Sequence, residues 1–167
     1  MLKKQVEENI CLALRVTPRP VWNGNEHLTH KMIAPLSVMN LHLDLLDHGA
    51  SFVFYGTNLS IDSKKIDSID SILFFSYKEQ WAALCDVKII TSMDGECFVP
   101  DDISLENSPA FWLDEPNKNW IKIFNYRQLD FENLNDFKLV NTNRSGSKTL
   151  GDLIASSTRF NRDYLKY

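Results

Sequence analysis

The sequence predicts a single small α+β domain in which a β-barrel is accompanied by flanking helices. The length of 167 residues suits one domain and permits a sizeable core. Apolar residues recur at helical spacing near both ends of the chain. Between them, short segments rich in aromatic and β-branched residues are typical of strands. We therefore predict a helical part over residues 1–49 and a barrel with a C-terminal helix over residues 50–167.

Three helices are predicted. The first covers residues 3–16, where acidic residues lie in the early turns and the apolar stripe consists of Val6, Ile10, Ala13 and Leu14. The segment 17–20 ends this helix, because its two prolines cannot continue it. The second helix runs over residues 37–48, with Gly49 as its C-terminal cap. The third helix runs from about 150 to 166 and closes the domain.

Strands are predicted where aromatic and β-branched residues concentrate, namely at residues 51–55, 72–76, 81–91 and 120–124. Residues 136–140 are predicted as a further strand or a short ordered segment. The segment Tyr77–Gln80 is a hairpin-length link between the second and third of these strands. Residues 60–71 are predicted as a short helix or an irregular turn. Residues 21–34 and 92–118 are predicted as loops, because glycines, prolines and polar residues punctuate them.

Charge is distributed unevenly along the chain. The formal net charge is −4, which argues mildly against a nucleic-acid partner. Residues 1–117 carry 9 Lys and Arg against 17 Asp and Glu, whereas residues 118–167 carry 9 against 5. A phosphate chain responds to a local patch and not to the total charge. We therefore predict phosphate contacts in the basic C-terminal part, at Lys122, Lys138, Arg144 and Lys148.

The cysteines and the apolar segments indicate a cytoplasmic protein. Three cysteines, an odd number in unrelated contexts, are most simply reduced thiols. No apolar run approaches the about 18–20 residues that a membrane-spanning helix needs. The start of the chain is charged on both sides of Val6, unlike a secretory signal. We therefore expect no membrane partner.

The sequence lacks the familiar catalytic and cofactor motifs. It contains no glycine-rich phosphate-binding motif, no G-x-S-x-G and no H-E-x-x-H. His27 and His30 form an H-x-x-H pair without the further ligands that a zinc site requires. Cys85 lies in a predicted interior strand, where a thiol usually packs as a small hydrophobe. We expect no cofactor, no metal and no enzymatic activity; a small hydrolase that uses Cys85 or the two histidines is a third alternative.

Aromatic residues are abundant, with 4 Trp, 5 Tyr and 10 Phe. Phe111 and Trp112 follow a proline in an acidic loop, which is a poor position for core residues. Aromatic rings on loops suit base stacking, and a flipped base is held between such rings while polar groups read its edge. The sequence therefore predicts a base pocket built from Phe111 and Trp112, with Trp81 as a further aromatic residue and Asn58 and Ser76 as polar residues.

Two segments resemble YTH domains, which read methylated bases. Residues 72–92 (ILFFSYKEQWAALCDVKIITS) resemble the YTH strand that ends in Phe-Ser and leads through a short turn into the next strand. Residues 111–141 (FWLDEPNKNWIKIFNYRQLDFENLNDFKLVN) resemble the segment in which a loop Trp precedes a strand. EVE domains share this strand order. The resemblance covers about residues 72–167 and implies a small PUA-like (YTH/EVE-like) β-barrel with flanking helices.

The resemblance also implies an aromatic cage for a methylated base. By position, Trp112 is similar to the loop Trp of the cage, and Ser76 and Tyr77 lie where a strand end borders the pocket. Residues 21–25 resemble the unit that carries the second cage Trp, here Trp22. A frame that begins at Ser51 fits the EVE spacing better and makes Trp22 peripheral.

These observations predict a nucleic-acid reader that captures flipped N6-methyladenine or methylcytosine in DNA or RNA. By analogy, such modules also occur in McrBC-type modification-dependent restriction systems, which implies a fused or associated motor or nuclease. The alternative is an acidic protein-binding module of the immunity or antitoxin type, with no nucleic-acid ligand. The acidic balance of residues 1–117 supports this alternative, as does the aromatic content, because Trp and Tyr are favoured at interface hot spots.

Overall fold

The computed structural model describes residues 10–139, 149–151 and 162–166. This part of the chain is mostly sheet with one α-helix, α1 (Pro35–Asp47), which confirms the α+β class. No helix in the described part is long and apolar enough to cross a membrane. The strands are, in chain order, β1 Ile10–Arg15, β2 Arg19–Trp22, β3 His27–Ile33, β4 Val53–Thr57, β5 Ile69–Ser76, β6 Trp81–Thr91, β7 Asn119–Leu129, β8 Lys138–Leu139 and β9 Arg162–Lys166. Short 3₁₀ helices lie at Ile66–Ser68, Ala110–Trp112 and Phe131–Asp136.

Seven strands form one mixed sheet in the order β4-β7-β6-β5-β1-β9-β8, and β2 pairs with β3 in a separate hairpin. The β1–β5 pair is parallel, and the other neighbours are antiparallel. Among the described strands, β4 and β8 each have a single neighbour. The sheet is therefore open between these two edges, and the described residues do not form a closed barrel.

Local sequence signals in the middle of the chain are confirmed. The second predicted helix is α1, and Gly49 follows it with φ of +101°, a left-handed conformation that suits a C-terminal glycine cap. β6 has the predicted bounds, and the Tyr77–Gln80 link joins it to β5 as an antiparallel hairpin. The predicted strands at 51–55 and 120–124 correspond to β4 and to the longer β7.

The first predicted helix is wrong where the structure describes it, because Ile10–Arg15 is strand β1. β1 lies between β5 and β9, and its four central residues are all buried. Leu12 and Leu14 pack into the core on one face of the sheet, whereas Cys11 and Ala13 pack into the core on the other. A strand that is buried on both faces is a continuous apolar run, which periodicity alone does not distinguish from a helix. Residues 3–9 of this prediction lie outside the described residues.

The predicted loop over 21–34 is also wrong, because most of it belongs to the β2–β3 hairpin. The Oδ1 atom of Asn23 accepts hydrogen bonds from the backbone N–H groups of Asn25 and Glu26, each at 2.8 Å. Gly24 has a φ of +96°, which a residue with a side chain rarely adopts. The Asn-Gly pair is a hairpin signal, and here the turn lies between short strands.

The third predicted helix is wrong over residues 162–166, which form β9. β9 pairs antiparallel with β1, so the backbone of β1 is hydrogen-bonded on both sides. A central strand needs such a partner, because unpaired buried backbone groups are strongly unfavourable. Leu150 and Gly151 are helical as predicted, and residues 152–161 lie outside the described residues.

The sheet separates two apolar cores. On one face, α1 packs Val38, Met39 and Leu43 against strand residues that include Leu14 and Phe74. On the other face, the core consists of Cys11, Ala13, Leu73, Phe75, Ala82, Leu134, Phe137, Leu150 and Leu165. The alternation of Leu73 and Phe74 between the two cores follows from the two-residue period of a strand. The sheet is therefore covered on both faces.

The N-terminus of α1 is capped from a distant turn. Ala34 has no side-chain acceptor, and the first turn of α1 contains no acidic residue. Instead, Oε1 of Glu79 in the β5–β6 turn accepts a hydrogen bond from the Leu36 N–H at 3.0 Å. A carboxylate at this position satisfies one of the free N–H groups and interacts favourably with the helix dipole. This hydrogen bond connects the N-terminus of α1 to the β5–β6 hairpin.

We expect Glu79→Ala to lower the free energy of unfolding by about 1 kcal/mol, because the helix loses its N-terminal acceptor. Glu79→Gln retains an acceptor oxygen and should lose less. Urea unfolding followed by circular dichroism measures both. Lys78→Ala, at the neighbouring exposed position, is the control. Equal effects of Lys78→Ala and Glu79→Ala would show that the turn and not the cap is responsible.

Candidate functional site

A polar cavity lies where β4 ends. Its volume is about 270 Å³, and its walls come from residues 17–20, residues 55–58, His27, Glu115 and Asn117. Four segments therefore meet here: the connection from β1 into β2, the start of β3, the end of β4, and the loop before β7. We call this cavity the β4 pocket.

The carboxylate of Glu115 is the polar centre of the β4 pocket. Glu115 is only 4% exposed. Its Oε1 accepts hydrogen bonds from Nη2 of Arg19 at 2.5 Å and from Nδ2 of Asn117 at 3.0 Å. Its Oε2 lies 2.9 Å from Nε2 of His27. The carboxylate thus joins the β2–β3 hairpin to the loop before β7.

These contacts determine the charge of Glu115. Burial alone would raise the pKa of its carboxyl group, because the charged form loses hydration. The positive charge of Arg19 and the hydrogen bonds from Arg19, Asn117 and His27 outweigh burial and hold the pKa below its usual value. Glu115 is therefore an ionised hydrogen-bond acceptor at neutral pH.

Two aromatic rings surround the guanidinium group of Arg19. Its Cζ atom lies 4.9 Å from the ring centroid of Trp112 and 5.5 Å from that of Tyr55. Both distances are within the range of cation–π contacts. Arg19 therefore makes an ion pair and two aromatic contacts at the same time, and its side chain is only 13% exposed.

Trp112 forms the buried support behind Arg19. Its indole Nε1 donates a hydrogen bond to the Pro20 carbonyl at 2.9 Å. The ring of His42 stacks on it with a centroid distance of 5.5 Å and an interplanar angle of 7°. Trp112 is 1% exposed, so the expectation that this loop position is unsuitable for a core residue is wrong.

The hydroxyl group of Tyr55 has no partner among the residues that the structure describes. Tyr55 is buried, and it lines the β4 pocket. Burial raises the pKa of Tyr55, Arg19 opposes the shift and Glu115 adds to it. The hydroxyl therefore stays protonated and can donate or accept a hydrogen bond from a molecule in the pocket.

Gly56 leaves room for Asn117. A Cβ atom at position 56 would lie 2.4 Å from Nδ2 of Asn117 and 3.1 Å from Cη2 of Trp120. Asn117 is buried, and its Nδ2 also lies 3.1 Å from the Glu115 carbonyl oxygen. The small residue in β4 thus permits the Asn117 amide to contact the carboxylate.

A second cavity lies on the other side of Thr17 and Pro18, which line both cavities. It has a volume of about 540 Å³ and mostly apolar walls. Ser76 and Tyr77, two of the predicted base-pocket residues, line this second cavity. Its charged lining residues are Arg15, Lys78 and Glu79. The structure therefore separates the predicted pocket residues into different places.

The remaining predicted pocket residues occupy diverse environments. Asn58 lines the β4 pocket, where its Oδ1 accepts the Lys118 N–H at 2.9 Å. Trp22 packs its ring 4.9 Å from His27, and its buried Nε1 has no partner among the described residues. Trp81 is buried and pairs with Ser76 across the β5–β6 hairpin. Phe111 is exposed beside Trp112.

The predicted phosphate contacts are largely beyond the described residues. Arg144, Lys148 and the side chain of Lys138 lie outside them. Lys122 is described, and its Nζ lies 3.6 Å from Oδ2 of Asp102 and 4.5 Å from the Phe52 ring centroid. Lys122 is therefore engaged within the protein.

Cys85, His27 and His30, the candidate residues for a hydrolase or a zinc site, lie in different environments. Cys85 is buried in the core, and burial raises the pKa of its thiol, which favours the unreactive protonated form. His27 is bonded to Glu115, whereas His30 is exposed on β3. The described residues hold no cluster of three or more His, Cys, Asp or Glu suited to a metal ion.

Sequence reasoning missed most of the β4 pocket. Glu115 lies in an acidic segment that resembles a solvent-exposed loop in the sequence, but the structure buries it against Arg19. The sequence does not indicate that Arg19, His27 and Tyr55 line a base pocket. One local signal is the sequence Pro18-Arg-Pro20. The two prolines restrict the backbone around Arg19. The partners of that cation lie too far along the chain to be inferred.

No protein-family model, curated protein or solved structure matches this chain.

His42 makes the stability of the protein depend on pH. Burial lowers the pKa of His42 from 6.5 to about 3, the hydrogen bond of Nδ1 to the Val38 carbonyl opposes this shift, and Arg19 adds to it. Because the folded-state pKa lies below the unfolded value, the unfolded protein takes up a proton first as the pH falls. Stability is therefore complete above about pH 6.5 and is lost toward about pH 3.

We expect this group to lower the free energy of unfolding by about 2 kcal/mol between about pH 7.5 and about pH 5. His42→Phe, which keeps an aromatic ring but does not titrate, should flatten the slope by that amount. Urea unfolding at several pH values measures the difference. The same pH dependence in both proteins would exclude His42 as its source.

Gly56→Ala should lower the free energy of unfolding by about 1–3 kcal/mol, because the new Cβ atom overlaps Asn117. Asn117→Ala in the same protein removes the overlapping amide. The double variant should therefore be more stable than the sum of the two single changes predicts, which thermal and urea unfolding will measure. Additive effects would show that Gly56 and Asn117 are not coupled.

Proposed function

We propose that this chain is a nucleic-acid-binding module that captures a single flipped base in the β4 pocket. The observation that carries the proposal is a small cavity in which the ring of Tyr55, the Arg19 guanidinium and the buried polar groups of Glu115 and Asn117 meet. A flipped base is bound by such a combination, because its faces need stacking partners and its edge needs hydrogen-bonding partners.

The size and the position of the cavity support a single base as the ligand. Its volume of about 270 Å³ is near the lower limit of small-molecule pockets, about 300 Å³. It opens where an edge strand ends, so a nucleic-acid chain can pass outside while one base enters. Lys118 follows the pocket residue Asn117 and is exposed, and its backbone N–H donates to Asn58, so in this proposal its side chain contacts a phosphate.

In this proposal the architecture is PUA-like, although the sheet is open in the described residues. The first segment that resembles YTH domains corresponds to the β5–β6 hairpin, and the second begins in the 3₁₀ turn at Ala110–Trp112 and contains β7. β5, β6 and β7 are neighbours in the sheet, which supports the resemblance. In this proposal, methylated adenine or cytosine remains the ligand class, and the apolar faces of Tyr55, Pro18 and Pro20 contact the methyl group.

Fluorescence anisotropy tests the proposal. The probes are short DNA and RNA duplexes with one unpaired adenine or cytosine, each with and without its N6- or C5-methyl group. The same duplexes with an abasic site at that position are the controls. We expect tighter binding when the base is present. Equal binding to base-containing and abasic duplexes would contradict capture of a flipped base.

Tyr55→Phe should weaken base-dependent binding by about 3- to 10-fold, because the pocket loses one hydrogen-bonding group. Stability should change little, since the hydroxyl has no partner among the described residues. Tyr77→Phe makes the same chemical change in the second cavity and is the matched control. Weaker binding by Tyr77→Phe alone would assign the base to the second cavity.

A protein-binding role is the second candidate. It is favoured by large apolar side chains that are exposed in the acidic loop between β6 and β7, namely Met93, Leu105 and Phe111. Exposed apolar residues in a polar surround are typical of protein interaction sites. Negligible binding to every nucleic-acid probe would favour this role.

A further inference from the structure

We infer that the Arg19 side chain occupies the ligand's place in the free protein, and that a base with an exocyclic amino group displaces it from Glu115. This inference rests on the proposed function, because it concerns how the β4 pocket selects its base. It assigns Glu115 as the residue that determines specificity and Arg19 as an internal substitute for the ligand.

The contacts of Arg19 are those that a bound base would make. The guanidinium group is planar, lies within contact distance of the Tyr55 and Trp112 rings, and donates a hydrogen bond to Glu115. A nucleobase is also planar, and its amino group is also a hydrogen-bond donor. A base cannot make these aromatic contacts and the Glu115 contact while the guanidinium group remains between them.

Replacement of the Arg19 guanidinium by a base requires only the Arg19 side chain to move, and the backbone of residues 18–20 can stay in place. Pro18 and Pro20 flank Arg19 and restrict the backbone φ angle on both sides of it. Arg19 is also paired with Ile33 in the β2–β3 hairpin. The backbone is therefore held, whereas the long side chain can rotate out of the pocket opening that it lines.

Glu115 determines which bases can replace the guanidinium. When Arg19 is displaced, Asn117 and His27 still hydrogen-bond the Glu115 carboxylate and favour its ionised form. An ionised carboxylate only accepts hydrogen bonds, so its new partner must be a donor. Cytosine, adenine and guanine carry an exocyclic amino group, whereas uracil and thymine present a carbonyl oxygen at the position where cytosine has its amino group. A carbonyl oxygen facing the carboxylate would leave two buried acceptors opposed, which is strongly unfavourable.

Two matched pairs of probes test the selection. Each duplex contains one unpaired base, either cytosine or uracil in the first pair and either adenine or hypoxanthine in the second. Within each pair, the exchange of an amino group for a carbonyl is the main change. We expect the amino-bearing probe to bind at least about 10-fold more tightly, as is typical when a buried group loses its hydrogen-bond partner.

Glu115→Gln should reduce this preference to less than about 3-fold, because an amide offers both a donor and an acceptor. Asp114→Asn, which makes the equivalent charge change at the neighbouring exposed residue, is the control and should keep the preference. Melting temperatures establish that each variant is folded. A preference that persists in folded Glu115→Gln would overturn the assignment of Glu115.

Arg19→Gln tests the displacement. The shorter amide leaves the aromatic contacts while retaining a donor for Glu115. We expect about 3- to 10-fold tighter binding of the cytosine and adenine probes, because a neutral amide competes less strongly for Glu115 than a guanidinium does and leaves the aromatic contacts free. The indole N–H signal of Trp112 should shift in this variant and shift again on ligand addition, as nuclear magnetic resonance can detect. Weaker binding of all probes by folded Arg19→Gln would show that Arg19 is a ligand contact and not a competitor.

Different results would contradict the proposed function and the inference about Glu115 and Arg19. If abasic duplexes bind as tightly as all base-containing duplexes, the proposed function is wrong. If an unpaired base is required but amino and carbonyl bases bind equally, the proposed function stands and this inference is wrong.

Discussion

Burial of the Glu115 carboxylate is the interaction on which the candidate site depends. A charged group that leaves water is stabilised in a folded protein only if oppositely charged or hydrogen-bonding groups replace the lost hydration. Arg19, His27 and Asn117 do so, and they come from the β2–β3 hairpin and from the loop before β7. The ion pair therefore fixes how these two segments meet, and the position of the β4 pocket follows from it. Removing one partner would leave the other charge buried and unpaired, which is why conservative substitutions are informative here.

The second constraint is the central position of β1. Its parallel partner β5 and its antiparallel partner β9 are distant along the chain, and both faces of β1 are covered by apolar cores. The connection that leaves β1 at residue 16 lines the β4 pocket together with the end of β4. Pro18, Arg19 and Pro20 lie in this connection and at the start of β2. The topology thus brings Arg19 to the pocket, while local sequence keeps its backbone restricted.

Prediction from sequence succeeded where the signal is local. The end of α1 at Gly49 and the hairpin at Tyr77–Gln80 depend on residues that are adjacent in the chain. The sequence of β1 predicts a helix, whereas the structure has a strand. Its four buried residues are in a strand because they pair with residues more than fifty positions away, which the local sequence does not reveal. The site has the same difficulty. Separately, Arg19, Tyr55 and Glu115 look like a loop cation, a strand aromatic and a surface acid, and Trp112 looks like an exposed ring. Only the folded chain shows that Trp112 is a buried support, and that Asn58 is the predicted pocket residue that lines the β4 pocket.

The Arg19–Glu115 ion pair opposes ligand binding in the proposed mechanism. In the free protein, the positive charge of Arg19 is neutralised by Glu115. A base that takes over the hydrogen bond to Glu115 would release the guanidinium group to water. Since a neutral amino group compensates the carboxylate less well than a cation does, the loss of this ion pair is unfavourable. His27 and Asn117 would remain hydrogen-bonded to the carboxylate and would offset part of the loss. The selectivity of the pocket would therefore depend on how well these two donors stabilise the carboxylate once the cation has left.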